Sequence, residues 1–293
     1  MRVVFLGNHT VGVTALSALL EVADVTGVIA HPADPEDGVR YGSVYDFAVA
    51  RGLPTIRARG RDATVPAFLA QAAADLLWIT DYRYLLPADL LNSVRYGAVN
   101  LHPSLLPRYR GRAPLNWAIL HGEREVGLTA HVVDAGMDSG DILSQHRLVL
   151  GDDEDVGHVL ERLMPLYDAL PREIVRGFET QSLSRTPQNH ALATTFPART
   201  PADGRVQWSA SARDIHNLVR AVAAPYPGAF TQLNDRQVMI WRTRLVDRDD
   251  AAAPGTILSV QDGMPTVQCG HGALALVQTD AGDAPWVCGV QLA

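Results

Sequence analysis

The sequence predicts a two-part α/β protein, a mostly parallel sheet with covering helices followed by a small all-β domain, on three observations. Apolar runs of strand length alternate with helical spacing through the first part of the chain. A Pro/Gly-punctuated connector then breaks the pattern. Short β-type runs separated by turn signals fill the remainder.

Residues 2–6 (RVVFL) read as a buried strand, Gly7–Gly12 as a loop whose glycines permit a tight turn, and Val13–Leu20 as a helix. Residues 25–30 form a second apolar run, and 63–74 carry helical spacing. Residues 76–80 and 97–101 read as further buried strands, so the alternation implies a parallel, Rossmann-like sheet. The β-branched run 128–133 adds a strand, and 156–178 a long helix closed by Gly177. The connector Pro197–Gly204 places the boundary between residues 1–200 and 203–293. After a helix at 212–223, strands at 229–233, 237–241, 255–260, 266–269 and 273–278 suggest a small OB-like β-barrel, which could serve as a dimer surface.

Composition narrows the function classes. With 47% apolar and 19% charged residues the chain belongs with globular rather than disordered proteins. No apolar run approaches a membrane span and the N-terminus lacks a signal-peptide core, so a cytoplasmic protein is expected. Two cysteines, Cys269 and Cys288, suggest neither a disulfide framework nor a zinc site. The net charge of −7 argues against a nucleic-acid binder. All 25 basic residues are arginine, so any ligand phosphate or carboxylate must be gripped by a planar guanidinium.

Two segments carry candidate chemistry. The Gly7–Gly12 loop lacks the G-x-G-x-x-G spacing of a dinucleotide fingerprint. In contrast, Asn100-Leu101-His102-Pro103-Ser104-Leu105-Leu106-Pro107 emerges directly from a strand. Alternation puts Asn100 and His102 on one side, at the carboxyl end where open α/β sheets bind ligands. Each residue also has a bland reading, Asn as a turn former and His as a satisfied core ring, and spacing alone leaves both open. Arg108, Arg110 and Arg112 follow, enough positive charge to attract an anionic ligand. The second segment, Asp134-Ala135-Gly136-Met137-Asp138-Ser139-Gly140-Asp141, is a loop able to turn a carboxylate inward; its spacing does not match a calcium loop. A carboxylate at Asp138 beside His102 would favour the imidazolium and fix the ring.

These segments, Asn-x-His-x-Ser-Leu-Leu-Pro, then Arg-Gly-x-x-Pro, then Asp-x-Gly-x-Asp-x-Gly, resemble in order the signature of the 10-formyltetrahydrofolate-dependent formyltransferases. That family includes methionyl-tRNA formyltransferase and the sugar N-formyltransferases. Tyr41-Gly42-Ser43-Val44, Arg108–Trp117, Arg199-Thr200-Pro201, Arg220–Ala223 and Tyr226–Phe230 are similar to the formyltransferase domain of the enzyme that modifies UDP-4-amino-4-deoxy-L-arabinose. The resemblance covers nearly the whole chain. His102-Pro103-Ser104 replaces the His-Gly-Ser usual in that sugar enzyme, and the acidic loop is closer to the tRNA enzyme.

The resemblance implies formyl transfer from 10-formyltetrahydrofolate to an amine without a metal. Asn100 and protonated His102 would donate to the tetrahedral oxyanion. Asp138 would raise the His102 pKa and take the amine's proton through water. Folate contacts would fall on Tyr84, Leu85, Leu86, Arg112, Asp134, Ala135, Gly136, Met137 and Asp138, and acceptor contacts on Arg199. The leading acceptor is a nucleotide-linked amino sugar. The alternatives are methionyl-tRNA and a small amine of the hydroxyornithine type. Residues 203–293 hold seven Arg against nine Asp and no Glu, the wrong sign for a tRNA-binding appendage.

Overall fold

A computed structural model describes residues 1–35, 40–281 and 286–293. The chain begins with β1 (Arg2–Gly7), α1 (His9–Val22), β2 (Asp24–Ala30), α2 (Val44–Val49), β3 (Thr55–Arg57) and α3 (Thr64–Ala72). It continues through β4 (Leu76–Thr80), α4 (Ala88–Leu91), β5 (Ala98–His102), β6 (Arg110–Gly111), α5 (Pro114–Leu120), β7 (Glu125–Val132) and β8 (Ile142–Val149). Then come α6 (Val156–Glu179), β9 (Thr195–Phe196), α7 (Ala212–Val222), β10 (Ala229–Leu233), β11 (Arg236–Val246), β12 (Ile257–Gln261), β13 (Met264–Gln268) and β14 (Ala273–Thr279). Contacts group these into two units, residues 1–111, 127–148 and 162–195 in the first, and 112–126, 149–161 and 196–293 in the second.

The first unit is organised by a seven-stranded sheet in the order β3-β2-β1-β4-β5-β7-β8. From β3 to β5 the neighbours are parallel, and β7 runs antiparallel to β5. Val3 to Leu6 and Leu76 to Trp78 are wholly buried, as expected of strands covered on both faces, and this is why they read as unbroken apolar runs. Val4, Leu6, Ile29, Leu77 and Ile79 meet Val65 and Leu69 of α3 in one core cluster. The chain lays β1, β2 and β3 to one side and returns to start β4 against the other side of β1. The carboxyl ends of β1 and β4 therefore flank the topological switch point, where open α/β sheets leave a crevice.

Two local expectations change. The helix after β1 begins at His9, so the expected loop is one residue long and Gly12 lies inside α1. Gly7 is required by close approach rather than by a turn, since a Cβ there would sit 2.6 Å from the Thr80 carbonyl oxygen. Likewise Gly177 does not close α6, which runs to Glu179 and is followed by Gln181 in the left-handed region. Gly177 instead gives room to the returning Leu183, whose side chain lies 2.6 Å from where a Cβ would be.

In the second unit β10 to β14 form an antiparallel sheet in the order β10-β11-β14-β13-β12. The C-terminal tail joins its two edges. Ala293 exchanges backbone hydrogen bonds of 2.8 and 3.0 Å with Gln232 of β10, while Ile257 of β12 donates to Val290 and Leu292 donates to Gly255. A barrel-like closure removes exposed strand edges. Trp208, Ile215, Val219, Ile240, Val267, Leu274 and Leu276 fill its core. Ser211 caps α7 by accepting from the Asp214 N–H at 3.1 Å. Cys269 is buried, Cys288 is exposed, and neither is in a disulfide.

Candidate active site

The site is built where β5 meets β7. Asn100 lies opposite His131 and His102 opposite Thr129 in the antiparallel register. Directly opposed residues share a face, so two ladder rungs bring Asn100, His102 and His131 to one side of the sheet. The Asn100 amide nitrogen lies 3.2 Å from His131 Nε2. His131 Nδ1 is 2.8 Å from the Val132 carbonyl, which can only accept, so Nδ1 carries the proton. In the neutral ring Nε2 then accepts from Asn100, and one amide N–H of Asn100 remains for a ligand.

The loop after β5 is held in place by side chains of neighbouring strands. Thr129 Oγ1 donates to the Ser104 carbonyl at 2.6 Å, and Gln145 Nε2 donates to the Leu106 carbonyl at 2.9 Å. Ser104 Oγ donates to the Arg108 carbonyl at 2.8 Å. This brings the Tyr109 carbonyl 2.8 Å from His102 Nε2. That nitrogen donates, and Nδ1 faces Asp138 Oδ2 at 3.7 Å.

Asp138 reaches inward because the 133–141 loop is tightly folded. Asp134 Oδ1 accepts from the Gly136 N–H at 3.0 Å and the Ser139 hydroxyl at 2.7 Å. A Cβ at Gly140 would collide with the Val132 carbonyl oxygen. Asp138 itself takes a positive φ of 50°, a strained conformation of the kind concentrated at functional sites. Its Oδ2 accepts from the Gly111 N–H at 2.8 Å, and its Oδ1 lies 3.6 Å from His131 Nε2. Gln188 donates to the Asp138 and Gly140 carbonyls at 2.9 and 2.7 Å. Its amide oxygen takes the buried Arg110 guanidinium at 2.6 Å, so Gln188 joins the two loops.

The charge state of His102 differs from expectation. Burial pushes its pKa below the ordinary imidazole range and outweighs the upward pull of Asp138. With only 5% of the residue exposed, the charged ring loses more hydration than one carboxylate at 3.7 Å returns. Asp138 behaves oppositely. Burial would raise its pKa, but His102, His131 and the Gly111 N–H together hold it well below the carboxylate range. The resting pair is a neutral imidazole beside a carboxylate.

Of the expected folate contacts, Tyr84, Leu85 and Leu86 follow β4. Leu85 is 62% exposed and Met137 46% exposed, apolar surface lying open beside polar loops. The backbone groups of Leu85, Leu86, Ala135 and Met137 make no hydrogen bond among the described residues. A flat heterocycle with edge donors and acceptors suits such free peptide groups. Asp134, Ala135, Gly136, Met137 and Asp138 share the folded loop, and Asp134 is spent on shaping it. Arg112 and Arg199 belong to the second unit. The Arg112 N–H donates to the Phe196 carbonyl at 3.0 Å. Arg199 lies over the Trp117 ring at 4.8 Å and donates to the Asp203 carbonyl at 2.9 Å, while its buried Nε has no hydrogen-bond partner among the described residues. The sequence alone did not reveal His131 and Gln188 as parts of the site, and Arg110, expected to help attract an anionic ligand, is instead buried with its guanidinium on the Gln188 amide oxygen. Only the β5–β7 register and the loop packing reveal them; the His on alternate positions of β7 with Thr129 was the available signal.

A family model described as formyl transferase matches residues 1–171, and one described as formyl transferase, C-terminal domain, matches 199–285. The N-formyltransferase from Helicobacter canadensis, solved with folinic acid and dTDP-3-aminofucose, is 16% identical with a TM-score of 0.74 over 94% of this chain and 98% of its own. WlaRD, a sugar 3N-formyl transferase solved with dTDP and 5-N-formyl-THF, is 15% identical with a TM-score of 0.72 over 94% and 97%. Methionyl-tRNA formyltransferase from Clostridium thermocellum is 17% identical with a TM-score of 0.58 over 93% and 100%. At these identities the structural likeness establishes the fold. With both domain models matched in order, the chain belongs to the formyl transferase family.

Proposed function

We propose that this protein transfers the formyl group of 10-formyltetrahydrofolate to the primary amine of a nucleotide-linked amino sugar. The observation that carries the reading is the grouping of Asn100, His102 and Asp138, with His102 neutral and Asp138 ionised. Attack of a neutral amine on the formyl carbon gives a tetrahedral oxyanion, to which the free amide N–H of Asn100 donates. In resting His102 the Nε2–H donates a hydrogen bond to the Tyr109 carbonyl, so Nδ1 is the basic atom. The His102–Asp138 pair takes the amine's proton, and the imidazolium so formed is stabilised by the facing carboxylate. The imidazolium then returns that proton to N10 of the donor as the formyl carbon–N10 bond breaks, which releases tetrahydrofolate, leaves the formamide and restores the neutral ring. Tyr84 to Leu86, Arg112 and Asp134 to Asp138 would be the donor contacts.

The nucleotide amino sugar is favoured over tRNA because residues 203–293 carry a net negative balance of two. The nucleotide sugar and dTDP bound in the Helicobacter enzyme and WlaRD support the same choice. In this reading residues 1–200 are the catalytic domain, 203–293 the accessory domain, and the protein works in a reducing cytoplasm.

The test is an assay with 10-formyltetrahydrofolate against UDP- and dTDP-linked amino sugars, methionyl-tRNA and hydroxyornithine, following acceptor mass. A gain of one formyl group on a nucleotide amino sugar, lost in His102→Ala, is the expected result. Transfer to tRNA alone would refute the acceptor class.

A further inference from the structure

The stretch 188–194 falls between the two matched domain models, which cover residues 1–171 and 199–285. It nevertheless holds both groups that face the His102 ring. On the Nε2 side the hold is Thr194. Its Oγ1 accepts from the Tyr109 N–H at 2.9 Å, and its carbonyl accepts from the Arg110 N–H at 2.8 Å. In a trans peptide the C=O and N–H point in opposite directions. Anchoring the Arg110 N–H therefore aims the Tyr109 carbonyl at His102 Nε2, 2.8 Å away. Tyr109 takes a positive φ of 59°, a conformation its own side chain disfavours.

On the Nδ1 side the hold is the buried Gln188. The Asp138 and Gly140 carbonyls can only accept and the Arg110 guanidinium can only donate, so the amide has one workable orientation. Asp138 shares the left-handed conformation of Tyr109, with φ of 50°. Two non-glycine residues held there need tethers that outweigh their own preference. A buried amide must be hydrogen-bonded somewhere, and scattered loop carbonyls would serve. Here each partner of Gln188 belongs to Asp138, to its loop or to the arginine that shares a peptide with the Tyr109 carbonyl.

We propose that Gln188 and Thr194 are positioning residues for formyl transfer, setting Asp138 and the Tyr109 carbonyl against the two nitrogens of His102. This rests on the base role given above to the His102–Asp138 pair.

Gln188→Met keeps a side chain of similar length and removes both donors to the loop. It should lower kcat at least about tenfold with the KM of donor and acceptor within about twofold, since the support is lost in the transition state. In an Asp138→Asn background the same change should alter kcat less than about twofold, because residues acting through one another are not additive. The charged and titratable groups facing the His102 ring are Asp138, His131 and Arg110, of which Asp138 pulls most strongly. Titration of ring-labelled histidine by NMR, assigned with His102→Gln, should therefore show the His102 midpoint falling in Gln188→Met. Thr194→Val, which removes the side-chain acceptor for Tyr109, should cost about 2- to 13-fold in kcat and weaken the Nε2–H tautomer in the ring nitrogen shifts. That variant carries the test if Gln188→Met does not fold. An equal loss of kcat with and without the Asp138 carboxylate overturns the proposal. So do a midpoint and tautomer unchanged from wild type. A fully active Asp138→Asn, with the midpoint still moved by Gln188→Met, would refute the base role and leave the positioning standing.

Discussion

His131 is the most informative residue to perturb, because its expected effect separates positioning from direct participation. Its Nε2 accepts one Asn100 N–H at 3.2 Å, leaving the other, under the proposed mechanism, for the oxyanion. Replacing it with Phe keeps an aromatic body in a site 1% exposed but removes that acceptor. A neutral side-chain hydrogen bond is worth about 0.5–1.5 kcal/mol, so losing the orientation should cost about 2- to 13-fold in kcat with KM little changed. Asn100→Ala removes the donor itself and should cost about 10²–10³-fold. His131→Gln, whose amide oxygen can accept from Asn100, should recover most of the loss. Steady-state kinetics on the three variants suffices. A His131→Phe defect as deep as that of Asn100→Ala would place His131 against the reacting atoms and refute the reasoning. An unaltered kcat would show that Asn100 needs no such support.

Three further expectations follow from particular contacts. His102 and His216 are both held below the ordinary imidazole range, each chiefly by burial. The unfolded chain therefore binds protons that the native state does not as pH falls below about 6.5, and stability should decline there by up to about 1.4 kcal/mol per pH unit per histidine. Denaturant titrations of wild type and His216→Gln check this, the variant having the shallower slope; equal slopes would remove His216 from the account. Gly140→Ala drives a methyl group into the Val132 carbonyl and should destabilise by about 1–3 kcal/mol while lowering kcat through Asp138; an unchanged melt would contradict the loop geometry. Arg199→Ala frees the Trp117 face and removes the donor to Asp203; under the acceptor-contact reading it raises the acceptor KM, and an unchanged KM would dismiss that role.

Under the proposed mechanism one site serves as both donor and base. The Tyr109 carbonyl fixes the tautomer of His102, burial keeps the ring neutral, and Asp138 faces the atom that gains charge. A histidine already protonated would have no capacity to take a proton. Burial and the buried Arg110 therefore favour the protonation state useful to the reaction, while Asp138 keeps its cost moderate.

The sequence by itself determined the alternation of strands and helices, because parallel strands buried on both faces leave unbroken apolar runs such as Val3 to Leu6 and Leu76 to Trp78. It also determined the family, because the motifs around His102 and Asp138 are contiguous and their order survives along the chain. Contacts between distant segments were decided only by the tertiary structure. His131 meets Asn100 through an antiparallel register that no local spacing encodes. Gln188 joins Arg110 to the Asp138 loop from about eighty and fifty residues away, through hydrogen bonds that packing alone aligns. The charge of His102 depends on hydration lost in the assembled core, a property of the whole environment and not of the residue.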